Sequence, residues 1–406
     1  MRTKTKNNMG NKLFTLNRTL NALSVFRGIL ETPVVSNLQK LLYAVEQGSI
    51  DEQLLTYGAF SKALYEEGGN LTGFVKQYVL NDENIYLTNT LYGKDISPVI
   101  RECATQELDA LGQLAQISSA EMKVLIEYNG FLPDWDTSDC DLKSEYASML
   151  ADLSTKGHGI FAAYRMFRVK DGVLIPVKNA DGQTIDQLYG YQRERSQVLE
   201  NTRALAEGKP ASNVLLYGDA GTGKSSTIKA CANAFYDQGV RLIEFDKTQL
   251  GEIPNIIEQL ADYPLKFIFY IDDLSFGQND DGFSALKGIL EGNVTSYSKN
   301  IAIYATSNRR HLVKESMEAR MGNDLHLNDT LQETMSLSAR FGLTITFSKP
   351  EKDLYLEIVK SLAEEYGLEV EEAELFRKAE AFAIRANGRS PRTAKQFIQL
   401  VSIGIK

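Results

Sequence analysis

The sequence contains few of the residues that build disulfide frameworks and metal centres. Its 406 residues include 3 cysteines and 3 histidines. The cysteines, at Cys103, Cys140 and Cys231, are far apart and form no C-x-x-C pair. This pattern indicates neither a zinc site nor a disulfide framework, and it is typical of a reducing compartment. We therefore expect a cytoplasmic protein.

Long apolar runs are also missing. No stretch approaches the roughly 18 consecutive apolar residues that indicate a membrane-spanning helix, so we expect no membrane span. The segment after the basic N-terminus lacks the apolar core and cleavage site of a signal peptide. A basic amphipathic helix that touches a membrane surface is the alternative reading. The net charge of −9 argues against wholesale coating of nucleic acid, although not against a local basic patch.

The N-terminal third of the sequence has the apolar periodicity of amphipathic helices. Apolar residues such as Leu16, Leu20 and Leu23 fall near one helical face, and similar stripes follow. The acidic segment from Leu132 to Tyr146 lacks the glycine and the closing glutamate of a calcium loop, so we interpret it as a solvated loop. We predict a mainly α-helical accessory domain over residues 1–165.

The apolar period then changes. Two short apolar runs flank Asp171 and Gly172, and Asp-Gly between such runs is a strong hairpin signal. We predict a β-hairpin connector over residues 166–182.

The segment GDAGTGKS, from Gly218 to Ser225, has the spacing G-x-x-x-x-G-K-S of a phosphate-binding loop. Glycines let backbone N–H groups turn toward phosphate oxygens, and the following helix adds the positive end of its dipole. Lys224 can reach the β- and γ-phosphates, and the Ser225 hydroxyl can bind Mg²⁺. We expect ATP or ADP as the ligand. The expected contacts comprise Gly218, Asp219, Ala220, Gly221, Thr222, Gly223, Lys224, Ser225 and Ser226.

Apolar runs and helical runs alternate after this loop, which predicts a buried parallel sheet. Ligands bind beyond the carboxyl ends of such strands. Asp272 and Asp273 end the run KFIFYIDD, and Asn308 ends IAIYATSN. We expect Asp272 to hold Mg²⁺ opposite Ser225, Asp273 to polarise the attacking water, and Asn308 to bind that water or the γ-phosphate.

An apolar stretch with glycine precedes a helix about thirty residues before the phosphate loop. Ile185, Leu188 and Tyr189 can form an apolar pocket for adenine there. An ordinary helix start is the alternative reading, and the phosphate loop downstream favours the pocket.

From about Ile185 onward these motifs resemble the AAA+ ATPases. The strings DDLSF, ATSNRRHL, SLSARFGL and RSPRTAKQF resemble a bacterial family of predicted AAA+ ATPases of unknown function more closely still. The resemblance implies an α/β fold with a parallel-sheet nucleotide-binding core and a C-terminal helical lid. It places the αβα nucleotide-binding domain at residues 183–348 and the lid at residues 349–406.

The resemblance also assigns two catalytic arginines. Arg340 matches the arginine finger, which acts from a neighbouring subunit, and Arg392 matches the second sensor in the lid. A guanidinium can stabilise the charge that spreads over the γ-phosphoryl oxygens. This implies a homo-oligomer, as a ring or an open ring, with Arg340 acting in trans. Arg309 and Arg310 are second candidates for such contacts.

One departure concerns the rate of hydrolysis. Most AAA+ enzymes carry glutamate after the metal-binding aspartate, and this chain has Asp273. Its carboxylate is set back by ~1.5 Å, about one C–C bond, which predicts a slow ATPase. No aromatic residue lies in DKTQLGEIPN, which disfavours a polypeptide-threading unfoldase.

These observations predict a Mg-ATP-dependent AAA+ ATPase that remodels or regulates a protein client. The sequence does not identify the client. One alternative is a nucleotide-dependent switch or scaffold with little hydrolysis. The other is a nucleic-acid loader or remodeller, which only local basic patches favour, so we do not expect nucleic acid as the partner.

Overall fold

The computed structural model describes residues 2–126, 128–275, 281–290, 299–308, 339–386 and 388–405. The chain divides into two compact units, Met1–Leu153 and Ser154–Lys406. The division falls earlier than the predicted end of the accessory domain at residue 165. The reason is that the segment after Leu153 packs into the second unit, as described below.

The first unit is built of helices, with one isolated β-bridge between Asn70 and Asp136. It contains one 3₁₀ turn at Arg27–Glu31 and the helices α1 (Arg2–Asn21), α2 (Pro33–Gln47), α3 (Ile50–Glu66), α4 (Leu71–Asn81), α5 (Ile85–Leu91), α6 (Pro98–Ala115), α7 (Ser119–Leu125) and α8 (Leu142–Ala151).

Local side-chain hydrogen bonds explain where these helices begin. Ser49 and Glu52 form a reciprocal capping box at α3, and Ser118 and Glu121 form another at α7. Each box satisfies N–H groups that the first turn of a helix leaves without partners. Proline at the first position of α2 and α6 fits the helix because that position needs no N–H donor.

The predicted apolar stripes meet in one core. Leu16, Leu20 and Leu23 are all buried there. Trp135 packs edge-on against Phe60, with ring centroids 4.9 Å apart. The indole N–H of Trp135 donates to the carbonyl of Ile117 at 2.8 Å, so the core buries no unpaired indole.

The acidic segment between Leu132 and Tyr146 makes local contacts. The Asp134 carboxylate accepts hydrogen bonds from Lys123 Nζ at 2.6 Å and from the Ser119 hydroxyl at 2.8 Å. Asp141 caps the first turn of α8 through the N–H of Ser144. Both aspartates therefore serve the local structure of the unit.

The second unit is an α/β structure. Its strands are β1 (Met166–Lys170), β2 (Val173–Pro176), β3 (Val214–Gly218), β4 (Val240–Phe245), β5 (Lys266–Ile271), β6 (Ile301–Ser307) and β7 (Leu343–Phe347). Its helices are α9 (Leu153–Lys156), which spans the division, α10 (Ile160–Ala163), α11 (Gln192–Ala206), α12 (Lys224–Ala234), α13 (Ile253–Leu260), α14 (Asp281–Leu290), α15 (Lys352–Glu365), α16 (Glu372–Arg385) and α17 (Pro391–Ser402).

The strands form one sheet in the order β2-β1-β4-β5-β6-β3-β7. Every neighbouring pair is parallel except β1 with β2. The strands β3, β4, β5 and β6 are almost wholly buried, which explains their continuous apolar sequences. Because β3 pairs with both β6 and β7, the carboxyl ends of these strands lie at one edge of the sheet.

The predicted hairpin is present, but it is more than a connector. Lys170 pairs with Val173 across a turn in which Asp171 and Gly172 both have positive φ, as a two-residue hairpin turn requires. Strand β1 also pairs in parallel with β4. Residues 166–176 therefore form an edge of the seven-stranded sheet, and this pairing extends the sheet beyond its predicted start at residue 183.

The three helices after Pro350 that the sequence predicts are α15, α16 and α17. Their apolar faces, with Ile358, Ala379 and Ile398 buried, share a core with the sheet. The predicted fold class, a parallel-sheet P-loop core with a C-terminal helical lid, is confirmed. Within the described ranges, the helices are all too short or too polar to cross a membrane.

Candidate functional site

The phosphate loop connects the carboxyl end of β3 to the amino end of α12, as predicted. Gly218 has φ of +136°, and a Cβ atom there would lie 2.1 Å from the carbonyl oxygen of Phe347 on β7. A side chain at this position would therefore collide with the neighbouring strand. Only glycine allows the chain to leave β3 and turn into the loop.

Lys224 lies at the start of α12 and is only 5% exposed. Its ammonium donates to the carbonyls of Gly218 at 3.0 Å and Asp219 at 2.8 Å, and to Asn308 Oδ1 at 3.0 Å. All three acceptors are neutral. Burial lowers the pKa of Lys224, and the nearby aspartates oppose that shift. A buried cation that has no anionic hydrogen-bond partner among the described residues fits an anionic ligand such as a polyphosphate.

Asp272 lies just beyond β5 and meets the serine of the loop. Its Oδ1 accepts hydrogen bonds from Ser225 Oγ at 2.8 Å and from Thr306 Oγ1 at 2.6 Å. Burial alone would raise the pKa of Asp272, but hydrogen bonds led by the one from Thr306 outweigh it and lower the pKa. An ionised carboxylate next to a hydroxyl is an oxygen donor set that suits Mg²⁺.

Asp273 and Asn308 are also in contact. Asn308 Nδ2 donates to Asp273 Oδ1 at 2.8 Å, while Asn308 Oδ1 accepts from Lys224. Asp273 has a left-handed backbone with φ of +49°, and its N–H donates to Thr306 Oγ1 at 3.0 Å. The asparagine thus bridges the loop lysine to the second aspartate. The structure brings together the residues that the sequence placed at three separate strand ends.

These groups line one cavity of about 700 Å³, which is within the range of small-molecule sites, about 300–1,000 Å³. Asp272, Asp273 and Asn308 face it from the sheet. The phosphate loop and the start of α12 contribute Ala220, Gly221, Gly223, Lys224, Ser225 and Ser226.

Three other predicted loop contacts have local structural roles. The Asp219 carboxylate accepts the backbone N–H of Lys349 at 2.8 Å, which ties the loop to the segment before the lid. Thr222 is fully buried, and its hydroxyl donates to the carbonyl of Asp219 at 2.8 Å. Gly218 is required by the turn. The side chains of Asp219 and Thr222 support the loop, and none of the three residues is among the described residues that line the cavity.

Two residues of the predicted base pocket line the same cavity. Leu188 and Tyr189 line it, and the lid adds Ile358 and Leu362 from α15. Ile185 is absent from the described lining and packs against the apolar core instead. Sequence spacing predicted that this segment faces the nucleotide. Within the 3₁₀ turn Ile185–Gln187, however, Gln187 lines the cavity and Ile185 does not.

The lid also meets the phosphate loop. Arg392 lines the cavity, and its backbone N–H donates to the carbonyl of Gly221 at 3.2 Å. A Cβ atom at Gly221, which has φ of +78°, would lie 3.2 Å from both Arg392 Cβ and Ser390 Oγ. The close approach of α17 to the loop therefore depends on glycine at this position.

Arg340 is placed differently. It precedes β7, whose first residue, Leu343, pairs with Val214, whereas the phosphate loop starts beyond the pair of Gly218 and Phe347. Those pairs are four residues apart, or ~13 Å along the sheet. Arg340 is not among the described residues that line the cavity of its own chain. The predicted alternatives Arg309 and Arg310 lie outside the described residues.

Sequence reasoning missed several residues that line the cavity, among them the polar residues Thr306 and Arg195. Thr306 lies two positions before Asn308 on β6, so the two-residue period of a strand puts both near the same place. Arg195 on α11 also lines the cavity and is 4% exposed. It belongs to the charged run QRER, which looks like a solvated helix face, and no sequence signal marks its burial.

Solved structures with partial likeness include the Thermotoga maritima RuvB Holliday junction branch migration motor, at 17% identity and a TM-score of 0.35. A variant of Thermotoga maritima RuvB has 17% identity and a TM-score of 0.38. The matches cover 54% of this chain and 63% and 64% of those chains, so less than two thirds of their length is matched.

Curated protein sequences provide no match to this chain. Residues 160–404 match the family described as "Protein of unknown function (DUF815)". That range includes the sheet from β1 onward, the phosphate loop and the lid, which is more than half of the chain. The chain therefore belongs to the DUF815 family.

Proposed function

We propose that this protein is an ATPase that binds Mg-ATP and couples its binding and hydrolysis to remodelling or regulation of a protein client. The carrying observation is the convergence of Lys224, Asp272 and Asn308 from the ends of three neighbouring strands on one cavity. A buried lysine, an ionised aspartate and a helix amino end together suit a nucleoside triphosphate with its metal.

The chain's own residues have distinct roles in this proposal. Lys224 and the amino end of α12 bind the phosphates, and Leu188 and Tyr189 bind adenine. Ser225 and Asp272 hold Mg²⁺, which supplies neutralisation of phosphate charge when it is bound. Asp273 accepts the proton of the attacking water, and Asn308 orients that water. Arg392 stabilises charge from the lid.

Lys224→Ala tests the binding step. We expect it to abolish detectable ATP binding, measured by titration calorimetry, because it removes the buried cation of the site. Lys209→Ala, at an exposed lysine outside the cavity lining, is the control and should bind ATP normally. Unchanged binding and turnover in Lys224→Ala would contradict the proposal.

Asp273→Asn tests the chemical step. Asparagine tolerates a left-handed backbone and retains hydrogen bonding, so we expect ATP binding to persist. Loss of a general base typically lowers turnover by about 10²–10⁴-fold. Measured in single-turnover reactions, wild-type rates in this variant would show that Asp273 is not the base.

The same measurement on the wild type addresses a second function. Asn308 holds the Asp273 carboxylate at 2.8 Å, and aspartate is shorter than the glutamate of most AAA+ enzymes. This arrangement favours a slow ATPase, or a nucleotide-dependent switch in the limit. ATP that remains bound and uncleaved over hours would favour the switch.

The proposal includes a homo-oligomer in which Arg340 completes the site of a neighbouring subunit. Its absence from the described lining of its own cavity supports this role. Mixing Arg340→Ala with Lys224→Ala subunits should restore some activity, since each supplies what the other lacks. No restoration at any ratio would argue against action in trans. We further propose that the helical first unit binds the protein client. We expect the protein to act in the cytoplasm.

A further inference from the structure

Arg195 is a buried cation that the roles above do not use. It lies in the first turn of α11, and its side chain is 4% exposed while lining the nucleotide cavity. Two residues earlier on the same helix, Arg193 is exposed. The first turn of α11 thus has one arginine exposed to solvent and another buried in the cavity wall.

The guanidinium of Arg195 is only partly paired. Nη1 donates to the carbonyl oxygens of Leu188 and Gly190. Within the described residues, Nε has no hydrogen-bond partner and is inaccessible to solvent. The structure also gives Nη2 no hydrogen bond to any described residue. Burial lowers the pKa of Arg195 to about 10, which still leaves the group charged at neutral pH.

The two ends of this guanidinium face different parts of the site. Nη1 holds the backbone on either side of Tyr189, in the segment that forms the base pocket. Nη2 lies 3.5 Å from the point where a Cβ atom of Gly223 would be, beside the phosphate loop. Arg195 therefore lies where the base pocket meets the phosphate loop. In a bound nucleotide, the ribose and the phosphate nearest to it connect those two parts.

Neutral partners do not explain a charge at this place. Carbonyl oxygens compensate part of the cost of burying a cation, but donors without partners leave the remainder uncompensated. A nucleotide phosphate would supply both an opposite charge and acceptors for the planar fork of a guanidinium.

We propose that Arg195 is a nucleotide-binding residue that donates from its Nη2 side to the phosphate nearest the ribose while Nη1 holds the base-binding segment. The inference deepens the proposed ATP-binding function and rests on it. It adds a link between the two parts of the site: the residue that holds the base-binding segment is the same residue that binds the nucleotide phosphate.

The test compares Arg195→Met and Arg195→Lys with the wild type in titrations with ADP. Methionine removes the charge, whereas lysine keeps a cation that can reach a phosphate but lacks the fork that spans two carbonyls. A hydrogen bond to a charged group predicts at least about a tenfold loss of ADP affinity in Arg195→Met. We expect Arg195→Lys to recover part of that loss. Arg193→Met is the matched control and should bind ADP as the wild type does.

A role confined to holding the carbonyls predicts a different pattern. The Arg195→Lys and Arg195→Met variants would then bind ADP equally weakly, since neither side chain can hold the carbonyl oxygens of Leu188 and Gly190 as arginine does. That result, or wild-type affinity in Arg195→Met, would overturn the proposal. If wild-type ADP binding is lost in Lys224→Ala but intact in Arg195→Met, only this inference fails. If the wild type itself binds no ADP, the proposed function fails first.

Discussion

The two ends of the central sheet each bury an arginine, and they use it differently. Arg241 is near the amino end of β4 and is 1% exposed. Its Nε donates to Phe161 O at 2.8 Å, Nη1 to the carbonyls of Tyr236 and Val240, and Nη2 to Lys156 O at 2.9 Å. The guanidinium also stacks on the Tyr236 ring, 4.1 Å from its centroid.

Arg195, near the carboxyl ends of the strands, is also buried, at 4% exposed, but among the described residues only one of its nitrogens has hydrogen-bond partners. Both arginines lack a carboxylate within hydrogen-bond distance among the described residues. The difference is therefore in the number of donors that the fold itself satisfies. A buried arginine whose nitrogens are all hydrogen-bonded by the fold has a structural role. A buried arginine beside a cavity with nitrogens that lack partners is suited to binding a ligand.

The largest expected effect is on stability, at Arg241 near the amino end of β4. Arg241→Met leaves several buried carbonyls without donors and removes the contact with Tyr236. We expect the free energy of unfolding to fall by about 3–5 kcal/mol, measured by chemical denaturation. A loss of that size is a large fraction of the total stability of a typical domain.

Arg195→Met is the matched variant for this comparison. It removes a cation whose burial is only partly compensated, so we expect the unfolding free energy without nucleotide to change by less than about 1 kcal/mol. If both variants were destabilised equally, the distinction between the two ends of the sheet would be wrong.

A smaller effect is expected from Thr306, which organises the acidic part of the cavity. Thr306→Val keeps the shape of the side chain but removes the donor to Asp272 and the acceptor for the Asp273 N–H. Loss of a hydrogen bond to a charged group predicts about a tenfold weaker apparent Mg²⁺ affinity, measured as the Mg²⁺ dependence of ATP binding. Thr344→Val, at an exposed position of β7, is the control. Equal Mg²⁺ dependence in the two variants would remove Thr306 from the site.

Much of the fold follows from patterns visible in the sequence. The runs in β3 to β6 are apolar because these parallel strands are covered on both faces, and their polar ends meet because parallel strands share an edge. That reasoning brought Lys224, Asp272 and Asn308 to one place. It predicted the hairpin but not its place in the sheet, because the pairing of β1 with β4 depends on a contact between residues about 75 positions apart.

Burial of charge was the other part that the sequence could not reveal. Arg193 and Arg195 are both arginines in one short polar run, and only the packing of α11 decides which of them is buried. The same applies to Arg241 in β4, whose carbonyl partners come from α9, α10 and the turn after α12. Sequence period predicts which face of an element is apolar, but it does not predict which charged side chain that face accepts.

The smallest effect concerns the pH dependence of stability at the cavity end. Burial lowers the pKa of Lys224 in the folded protein below its ordinary value of 10.5. Between the lowered pKa and 10.5 the unfolded chain binds more protons than the folded one, so stability rises with pH across that window. Lys224→Met lacks this rise. Denaturation curves without nucleotide, from neutral pH upward, should therefore show the wild type gaining stability relative to the variant. Arg193→Met should follow the slope of the wild type, because this exposed residue leaves the surroundings of Lys224 unchanged. Parallel curves for the wild type and Lys224→Met would mean that the neutral partners of Lys224 fully compensate the cost of burying its charge. The contrast between the Arg241 end and the cavity end of the sheet would then depend on Arg195 alone.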